Sequence, residues 1–242
     1  MTMEIIAHRG NSSETPENTL AAFRDALTTG AVAVEFDVQL TRDGVPVVVH
    51  DEMLGRTVKG KGVVGDLTLA ELQALDAGSW FAPRFSAERV PTLKAVLEVL
   101  RPSTLQIHLE FKTSEIAYPG LVNAVIRELK DRTLAERVLF SSFNHHTLLE
   151  ARREAPHIPC AALLYGNLLE PWEYARKHGF QALHVQANVV DELLAQGCRK
   201  AGIALRAYTV NDPEQAMALK ALGLNGLFTD APRKILAATT GK

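Results

Sequence analysis

Five short apolar segments recur at a constant spacing in the second half of the sequence. Each begins 22 residues after the previous one, and the starts lie near Val138, Cys160, Ala182, Ala204 and Gly226. The stretches between them have helical periodicity. One opens with Asp212-Pro213 and closes at Gly223, which are residue types preferred at helix starts and ends. Strands that alternate with helices at this spacing predict βαβ units and a parallel sheet.

The first half contains three further strand candidates, at residues 4–8, 32–38 and 105–111. The first of them is followed by Thr15-Pro16, a pair that predicts the start of a helix. Together with the five regular segments they make eight strands, the number that closes a (β/α)8 TIM barrel. No linker or low-complexity tract interrupts the chain, so we expect a single TIM-barrel domain over residues 1–242.

Residues 51–90 do not follow the βα period. Five glycines lie between Gly55 and Gly78, and one short helix is predicted at 68–75, where Thr68 and Glu71 form a capping box. We interpret this stretch as a small insertion after strand 2 that lies over the barrel mouth. The second barrel helix is then expected near residues 92–100.

Composition excludes several classes of protein. The formal net charge of −2 gives no sign of a nucleic-acid partner. Two cysteines are too few for a disulfide framework, which favours a reducing compartment. The chain enters its first strand almost at once, without a secretory signal, and no apolar stretch reaches the ~20 residues of a membrane helix. We therefore expect a cytoplasmic protein without stable membrane association, and assembly into a homo-oligomer stays open.

Polar residues alternate with apolar ones on two of the predicted strands. The period of two places Glu35 and Asp37 on one face of the second strand. In residues 105–112 the odd positions are apolar and the even ones polar, so Glu110 and Lys112 point into the barrel. Active residues of this fold lie at the C-terminal ends of strands. Carboxylates are costly inside a barrel unless they are protonated or bind a cation.

His50 is expected to join this cluster through a hairpin. Asp43-Gly44 is a strong turn signal. A turn centred between these two residues pairs positions whose numbers sum to 87, which places His50 opposite Asp37. Cross-strand neighbours lie ~5 Å apart.

The residue types of the cluster indicate phosphoryl chemistry. Three carboxylates without a sulfur ligand suit one hard divalent ion, which can be Mg²⁺, Ca²⁺ or Mn²⁺. His8 and Arg9 end the first strand, and Lys112 ends the third. A metal ion and two cations would stabilise charge on phosphate oxygens, and two imidazoles can transfer protons. Phe143, Gln186 and Tyr208 lie at later strand ends, where we expect them to contact the substrate.

These residues belong to a series of motifs that resembles the glycerophosphodiester phosphodiesterase family, of the cytosolic bacterial type. The motifs occur in that family's order and span nearly the whole chain: His8-Arg9-Gly10, Pro16-Glu17-Asn18-Thr19, Glu35-x-Asp37, His50-Asp51, Glu110-x-Lys112, Thr209-Val210-Asn211 and Thr229-Asp230. One position departs from the pattern, since many members have Trp where this chain has Tyr208.

The resemblance implies a metal-dependent phosphodiesterase that hydrolyses small-molecule glycerophosphodiesters to sn-glycerol 3-phosphate and an alcohol. It implies that His8 and His50 are the general acid and base, and that Arg9 and Lys112 contact phosphate. It also implies a metal bound by three carboxylates, those of Glu35, Asp37 and Glu110.

Two other functions are kept as alternatives. One is a lysophospholipase D-like activity on lipids, which would need an apolar groove or patch that the sequence does not clearly show. The other is a catalytically silent phosphodiester-binding barrel, which the loss of a histidine or carboxylate would favour. The sequence leaves open the alcohol released, the metal, which histidine is the acid, and whether water or the substrate's 2-hydroxyl attacks.

Overall fold

The computed structural model describes residues 3–130 and 132–240. Nine strands occur in these residues: β1 Glu4–His8, β2 Ala33–Leu40, β3 Pro46–Val48, β4 Gln106–Phe111, β5 Val138–Ser142, β6 Cys160–Leu164, β7 Ala182–Gln186, β8 Ala204–Tyr208 and β9 Gly226–Thr229. The five starts expected from the 22-residue spacing are therefore confirmed at the same residues.

Ten helices occur in the same residues: α1 Leu20–Ala26, α2 Leu69–Gln73, α3 Leu93–Leu100, α4 Leu121–Glu128, α5 Arg132–Ala135, α6 His145–Glu154, α7 Pro171–His178, α8 Glu192–Ala201, α9 Pro213–Ala221 and α10 Pro232–Thr240. Short 3₁₀ turns lie at Val64–Asp66, Pro83–Phe85 and Ala187–Val189. In the described part of the chain, no helix has the length and apolar character needed to cross a membrane.

Eight of the strands form a closed parallel barrel. The order is β1-β9-β8-β7-β6-β5-β4-β2, and β1 also pairs with β2, which closes the ring. β3 lies outside the ring and pairs antiparallel with β2. The predicted TIM barrel is thus confirmed, with one additional strand at the point where the insertion begins.

Apolar residues pack on the outer wall of the barrel, against the helices. Phe36, Leu109 and Phe140 are fully buried in this layer, and the first two lie between the inward-facing polar residues of their strands. The insertion has a smaller apolar cluster of its own, which includes Val47, Leu72 and Val90. The capping box of α2 between Thr68 and Glu71 is present as predicted.

The predicted start of the first helix is wrong. The N-cap of α1 is Thr19, whose side chain accepts a hydrogen bond from the Ala22 backbone NH. Residues 15–18 form a loop instead, because Asn18 adopts a positive φ of 56° and donates its backbone NH to the carbonyl of Arg9.

The predicted register of the hairpin is wrong by one residue. Val38 pairs with Val48 and Leu40 with Pro46, so paired numbers sum to 86 and the residue opposite Asp37 is Val49. The turn has three residues rather than two, and Gly44 takes the left-handed conformation that such a loop requires. His50 follows the end of the strand, where the chain has left the ladder.

Candidate active site

Three carboxylates meet at the C-terminal mouth of the barrel. Asp37 pairs with Glu110 in the register of β2 and β4, and Glu35 lies one inward position below on β2. One oxygen of each of these side chains lies within 4.8 Å of the other two, and all three residues are buried. The structure therefore brings together the carboxylates that the alternation of polar residues predicted.

Burial and mutual repulsion make two of these groups difficult to ionise. Burial raises the pKa of Glu35 well above its ordinary value, and the charges of Asp37 and Glu110 raise it further. Burial and Asp37 also raise the pKa of Glu110, to about 7. A bound cation would remove this repulsion, and an all-oxygen donor set suits a hard divalent ion. The residues present therefore fit such an ion.

Asp37 differs from the two glutamates because it has polar partners. Burial would raise its pKa, but the nearby charges of Arg9, His50 and Lys112 hold that pKa well below its usual range. The Asn18 side-chain amide donates a hydrogen bond of 2.8 Å to Asp37 Oδ2.

Arg9 lies against the acidic groups at the mouth. Its backbone NH donates to Glu35 Oε2 at 3.1 Å, its Nη1 donates to Glu17 Oε1 at 2.7 Å, and its Nε lies 3.4 Å from Asp37 Oδ2. Burial would lower the pKa of this guanidinium, but the carboxylates around it raise that pKa above its ordinary value. Arg9 is thus held as a fixed cation beside the carboxylate cluster.

His8 is oriented by a partly exposed carboxylate from the far end of the chain. Its Nδ1 lies 2.7 Å from Asp230 Oδ1, while its Nε2 lies 3.9 Å from Glu35 Oε2. Asp230 also accepts hydrogen bonds from Ser12 and Asn211. Burial is outweighed by these contacts, so the pKa of Asp230 is lowered to about 2. An ionised Asp230 fixes the proton on Nδ1 and leaves Nε2 toward the pocket.

His50 has an equivalent arrangement. Its Nδ1 lies 2.7 Å from Asp51 Oδ1, and its Nε2 lies 3.3 Å from Lys112 Nζ. Lys112 Nζ also lies 3.4 Å from Glu110 Oε1. His50 therefore reaches the carboxylate cluster through Lys112, although the predicted pairing with Asp37 is absent.

A pocket of about 170 Å³ opens between the two histidines. Phe143 and Tyr208 form part of its wall, with ring centroids 6.0 Å apart in an edge-to-face contact. The Tyr208 hydroxyl donates to the Leu164 carbonyl and so faces away from a ligand. Gln186 ends β7 but is not among the residues that line this pocket; its Oε1 accepts a hydrogen bond from the Gly166 NH, and its contact with substrate stays a prediction.

Sequence reasoning gave no role to five residues that hold this site in place: Glu17, Asn18, Asp51, Arg56 and Asp230. Four of them lie in or beside motifs quoted above, so their positions were visible but their contacts were not. Arg56 belongs to no such motif, and its partners are revealed only by the folded insertion.

Comparisons with known proteins agree with this geometry. The model of the Glycerophosphoryl diester phosphodiesterase family matches residues 8–234. A glycerophosphodiester phosphodiesterase of Caldanaerobacter subterraneus subsp. tengcongensis is 40% identical over 233 residues, which are 96% of this chain and 96% of the relative. One of Bacillus subtilis is 32% identical over an aligned length of 245, and the alignment covers 94% of this chain and 83% of that relative.

A solved structure of an Oleispira antarctica phosphodiesterase, in complex with the product sn-glycerol-3-phosphate, superposes with a TM-score of 0.92 at 34% identity. The superposition covers 99% of this chain and 97% of that one.

Proposed function

Because the chain belongs to the glycerophosphoryl diester phosphodiesterase family, we propose that it hydrolyses glycerophosphodiesters to sn-glycerol 3-phosphate and an alcohol with the help of one divalent cation and the pair His8 and His50. The observation that carries the proposal is one pocket with two imidazoles beside three clustered carboxylates. The Oleispira antarctica relative holds sn-glycerol-3-phosphate, which supports the same product here.

Glu35, Asp37 and Glu110 are the residues that would hold the cation. When bound, a divalent ion supplies Lewis-acid stabilisation of negative charge on phosphoryl oxygens. Mg²⁺, Ca²⁺ and Mn²⁺ all accept oxygen ligands of this kind, and the choice among them is left to experiment.

His8 and His50 would move the two protons of the reaction. A carboxylate occupies Nδ1 of each ring, which leaves Nε2 of His8 toward the pocket and Nε2 of His50 beside Lys112 Nζ at 3.3 Å. One Nε2 would accept the proton of the attacking hydroxyl, and the other would donate a proton to the departing alcohol. Which histidine has which task, and whether water or the substrate's 2-hydroxyl attacks, both stay open.

Arg9 and Lys112 would bind the phosphate that is being attacked. Their side chains contact different carboxylates of the cluster, Asp37 for Arg9 and Glu110 for Lys112. Both remain cationic at neutral pH, since neighbouring carboxylates raise the pKa of each despite burial. They can therefore neutralise charge on the phosphate throughout the reaction.

Removal and return of the metal tests this proposal. After exhaustive chelation we expect activity on glycerophosphocholine to disappear and to return on addition of Mg²⁺, Ca²⁺ or Mn²⁺. Asp37→Asn should lose at least ~100-fold in metal affinity or activity. The matched control is Glu173→Gln, an exposed carboxylate on α7 whose side chain pairs with Arg176. Full activity of the chelated enzyme would refute the metal requirement.

A second candidate is supported by one surface feature. An apolar cleft of about 440 Å³ lies between the β6–α7 and β7–α8 loops. Leu169 and Leu193 in it are 87% and 70% exposed, and Tyr165, which lines the active pocket, directly precedes its first loop residue, Gly166. Exposed apolar surface of this kind is typical of ligand grooves.

We therefore propose that diesters whose glycerol carries an acyl chain, such as lysophosphatidylcholine, are additional substrates, cleaved to lysophosphatidic acid and choline. Leu169→Ser should lower kcat/KM for that lipid and leave glycerophosphocholine turnover unchanged. Equal effects on the two substrates, or none on either, would exclude a role of the cleft.

A further inference from the structure

Arg56, in the insertion, contacts two carboxylates that come from different loops. Its Nε and Nη2 donate to the two oxygens of Asp51 at 2.6 and 2.9 Å. Its Nη1 and Nη2 donate to the two oxygens of Glu17 at 2.8 and 2.7 Å. Both contacts are forked, which is the geometry in which a guanidinium fixes direction as well as charge.

Each of these carboxylates holds one residue of the candidate active site. Asp51 Oδ1 is the oxygen that faces His50 Nδ1, and Glu17 Oε1 is the oxygen that accepts a hydrogen bond from Arg9 Nη1. Arg56 is therefore one contact away from an imidazole that would transfer a proton and from a guanidinium that would bind phosphate.

The charges along this path alternate in sign. In spatial order they are Asp37, Arg9, Glu17, Arg56 and Asp51. Burial would raise the pKa of Glu17, but its contacts with Arg56 and Arg9 lower it. For Asp51, the hydrogen bonds from His50 and Arg56 likewise outweigh burial and lower the pKa. Without Arg56, the two carboxylates would lose the cation between them.

We propose that Arg56 is a positioning residue that orients both His50 and Arg9 through the carboxylates of Asp51 and Glu17. The inference rests on the proposed function, because it takes those two residues as proton-transfer and phosphate-binding groups. Arg56 itself is 48% exposed and is not among the residues that line the pocket. Its effect on catalysis is therefore geometric, and misplacement of about 1 Å at an active site lowers rates by up to ~100-fold.

Arg42 provides a matched control. It also ties the insertion down with two side-chain contacts, to the Asp66 carbonyl and to Glu71, and it is 56% exposed. None of these contacts involves a residue of the site. If Arg56 only anchored the insertion, Arg42→Gln and Arg56→Gln would therefore lower activity to a similar extent.

The experiment compares steady-state kinetics on glycerophosphocholine for Arg56→Gln, Arg56→Lys and Arg42→Gln, with thermal unfolding of each. Arg56→Gln should lower kcat and raise KM, with kcat/KM reduced ~10- to 100-fold. Arg56→Lys keeps the charge but not the fork and should recover part of the loss. Arg42→Gln should stay within about twofold of the parent.

Two further variants separate the contact of Arg56 with Asp51 from its contact with Glu17. Asp51→Asn should act mainly on kcat, and Glu17→Gln mainly on KM. Added to these variants, Arg56→Gln should cause little further change in the parameter already affected, because residues that act through one another are not additive. If Arg56 had a merely structural role, Arg56→Gln would instead shift the unfolding temperature. Its effects on kcat and KM would then add to those of both carboxylate variants.

The inference is overturned if Arg56→Gln matches Arg42→Gln, or if it is additive with both carboxylate variants. His50→Ala and Arg9→Gln are assayed in parallel. If those two variants keep normal turnover, the proposed function fails and this inference with it. If they are inactive while Arg56→Gln is normal, the inference alone fails.

Discussion

His8 ends a strand and His50 lies in the loop after β3, yet both imidazoles are held by the same kind of contact. Each offers Nδ1 to an aspartate at 2.7 Å, from Asp230 for one ring and from Asp51 for the other. A carboxylate on one ring nitrogen fixes the tautomer and leaves the other nitrogen to exchange protons. If both histidines transfer protons, the loss of either one should lower kcat to a similar extent.

We expect His8→Ala and His50→Ala each to lower kcat by at least ~100-fold while the fold and the metal affinity persist. The double variant should be much less than additive, since the rings would serve one reaction. Kinetics, circular dichroism and metal titration measure the three quantities, and the exposed His157→Ala is the control. Near-normal kcat in either single variant would remove that histidine from the mechanism.

The carboxylate cluster also predicts how stability responds to pH. Glu110 has a folded-state pKa of about 7, above its ordinary value of 4.5. The folded state therefore binds this proton more tightly, and its stabilising contribution is fully present below about pH 4.5 and is lost as pH rises through 7. Metal-free protein should unfold at a lower temperature at pH 8 than at pH 5.

Added Mg²⁺ competes with that proton, so it should raise the unfolding temperature more at pH 8 than at pH 5. A free ion at 100 times its dissociation constant contributes about 2.7 kcal/mol. Glu110→Gln should reduce the difference between the two pH values. A Mg²⁺ effect that is as large at pH 5 as at pH 8 would contradict the assigned cluster.

At the scale of the elements, the loop between β1 and α1 depends on one glycine. Gly10 has a φ of +85°, and a Cβ added there would lie 2.6 Å from Ala22 Cβ and 2.7 Å from the Ala22 carbonyl carbon. The loop must therefore lie directly on α1, and this contact sets the position of the adjacent Arg9.

Gly10→Ala should lower the free energy of unfolding by ~1–3 kcal/mol for the overlap and by a further ~1–2 kcal/mol for the left-handed backbone. Gly44→Ala is the matched control, because Gly44 has a φ of +78° but nothing within 4 Å of an added Cβ. Gly44→Ala should show only the loss of unfolding free energy that comes from the left-handed backbone. Urea unfolding measures both, and equal losses would show that the close approach is unimportant.

Strands β2, β3 and β4 show which features the sequence could predict and which it could not. Alternation on β2 and β4 predicted the carboxylate face, because side-chain direction in a strand follows from residue number alone. The hairpin register was missed by one residue, since the dipeptide Asp43-Gly44 does not reveal whether its loop has two residues or three. His50 nonetheless reaches the site, because the chain leaves the strand just before it.

At the scale of the whole molecule, the βα period predicted the barrel. It thereby also predicted that the site lies at the C-terminal ends of the barrel strands. Contacts between distant segments could not be predicted in this way. Asp230 lies 222 positions from His8, and Arg56 meets Glu17 only because the insertion folds back. These contacts depend on loop conformations, for which the sequence contains no periodic signal.

The composition of the pocket predicts broad tolerance for the leaving alcohol. Phe143 and Tyr208 meet edge to face, whereas Phe228 is buried against the His184 ring and Tyr165 is 83% exposed, so the aromatic residues that line the pocket do not form a closed box around a quaternary ammonium group. We expect kcat/KM to vary within about tenfold, ~1.4 kcal/mol, across glycerophosphocholine, glycerophosphoethanolamine and glycerophosphoglycerol. It should fall sharply for bis-p-nitrophenyl phosphate, which lacks glycerol. A strong choline preference would contradict this expectation.

The central claim is a metal-dependent cleavage that leaves the phosphate on glycerol. Its most direct test is ³¹P NMR of a glycerophosphocholine digest, recorded with metal, with excess chelator and after metal is restored. We predict that the diester resonance is replaced by that of sn-glycerol 3-phosphate in the first and third samples and persists in the second. Phosphocholine as the product, or undiminished turnover in the chelated sample, would contradict the account.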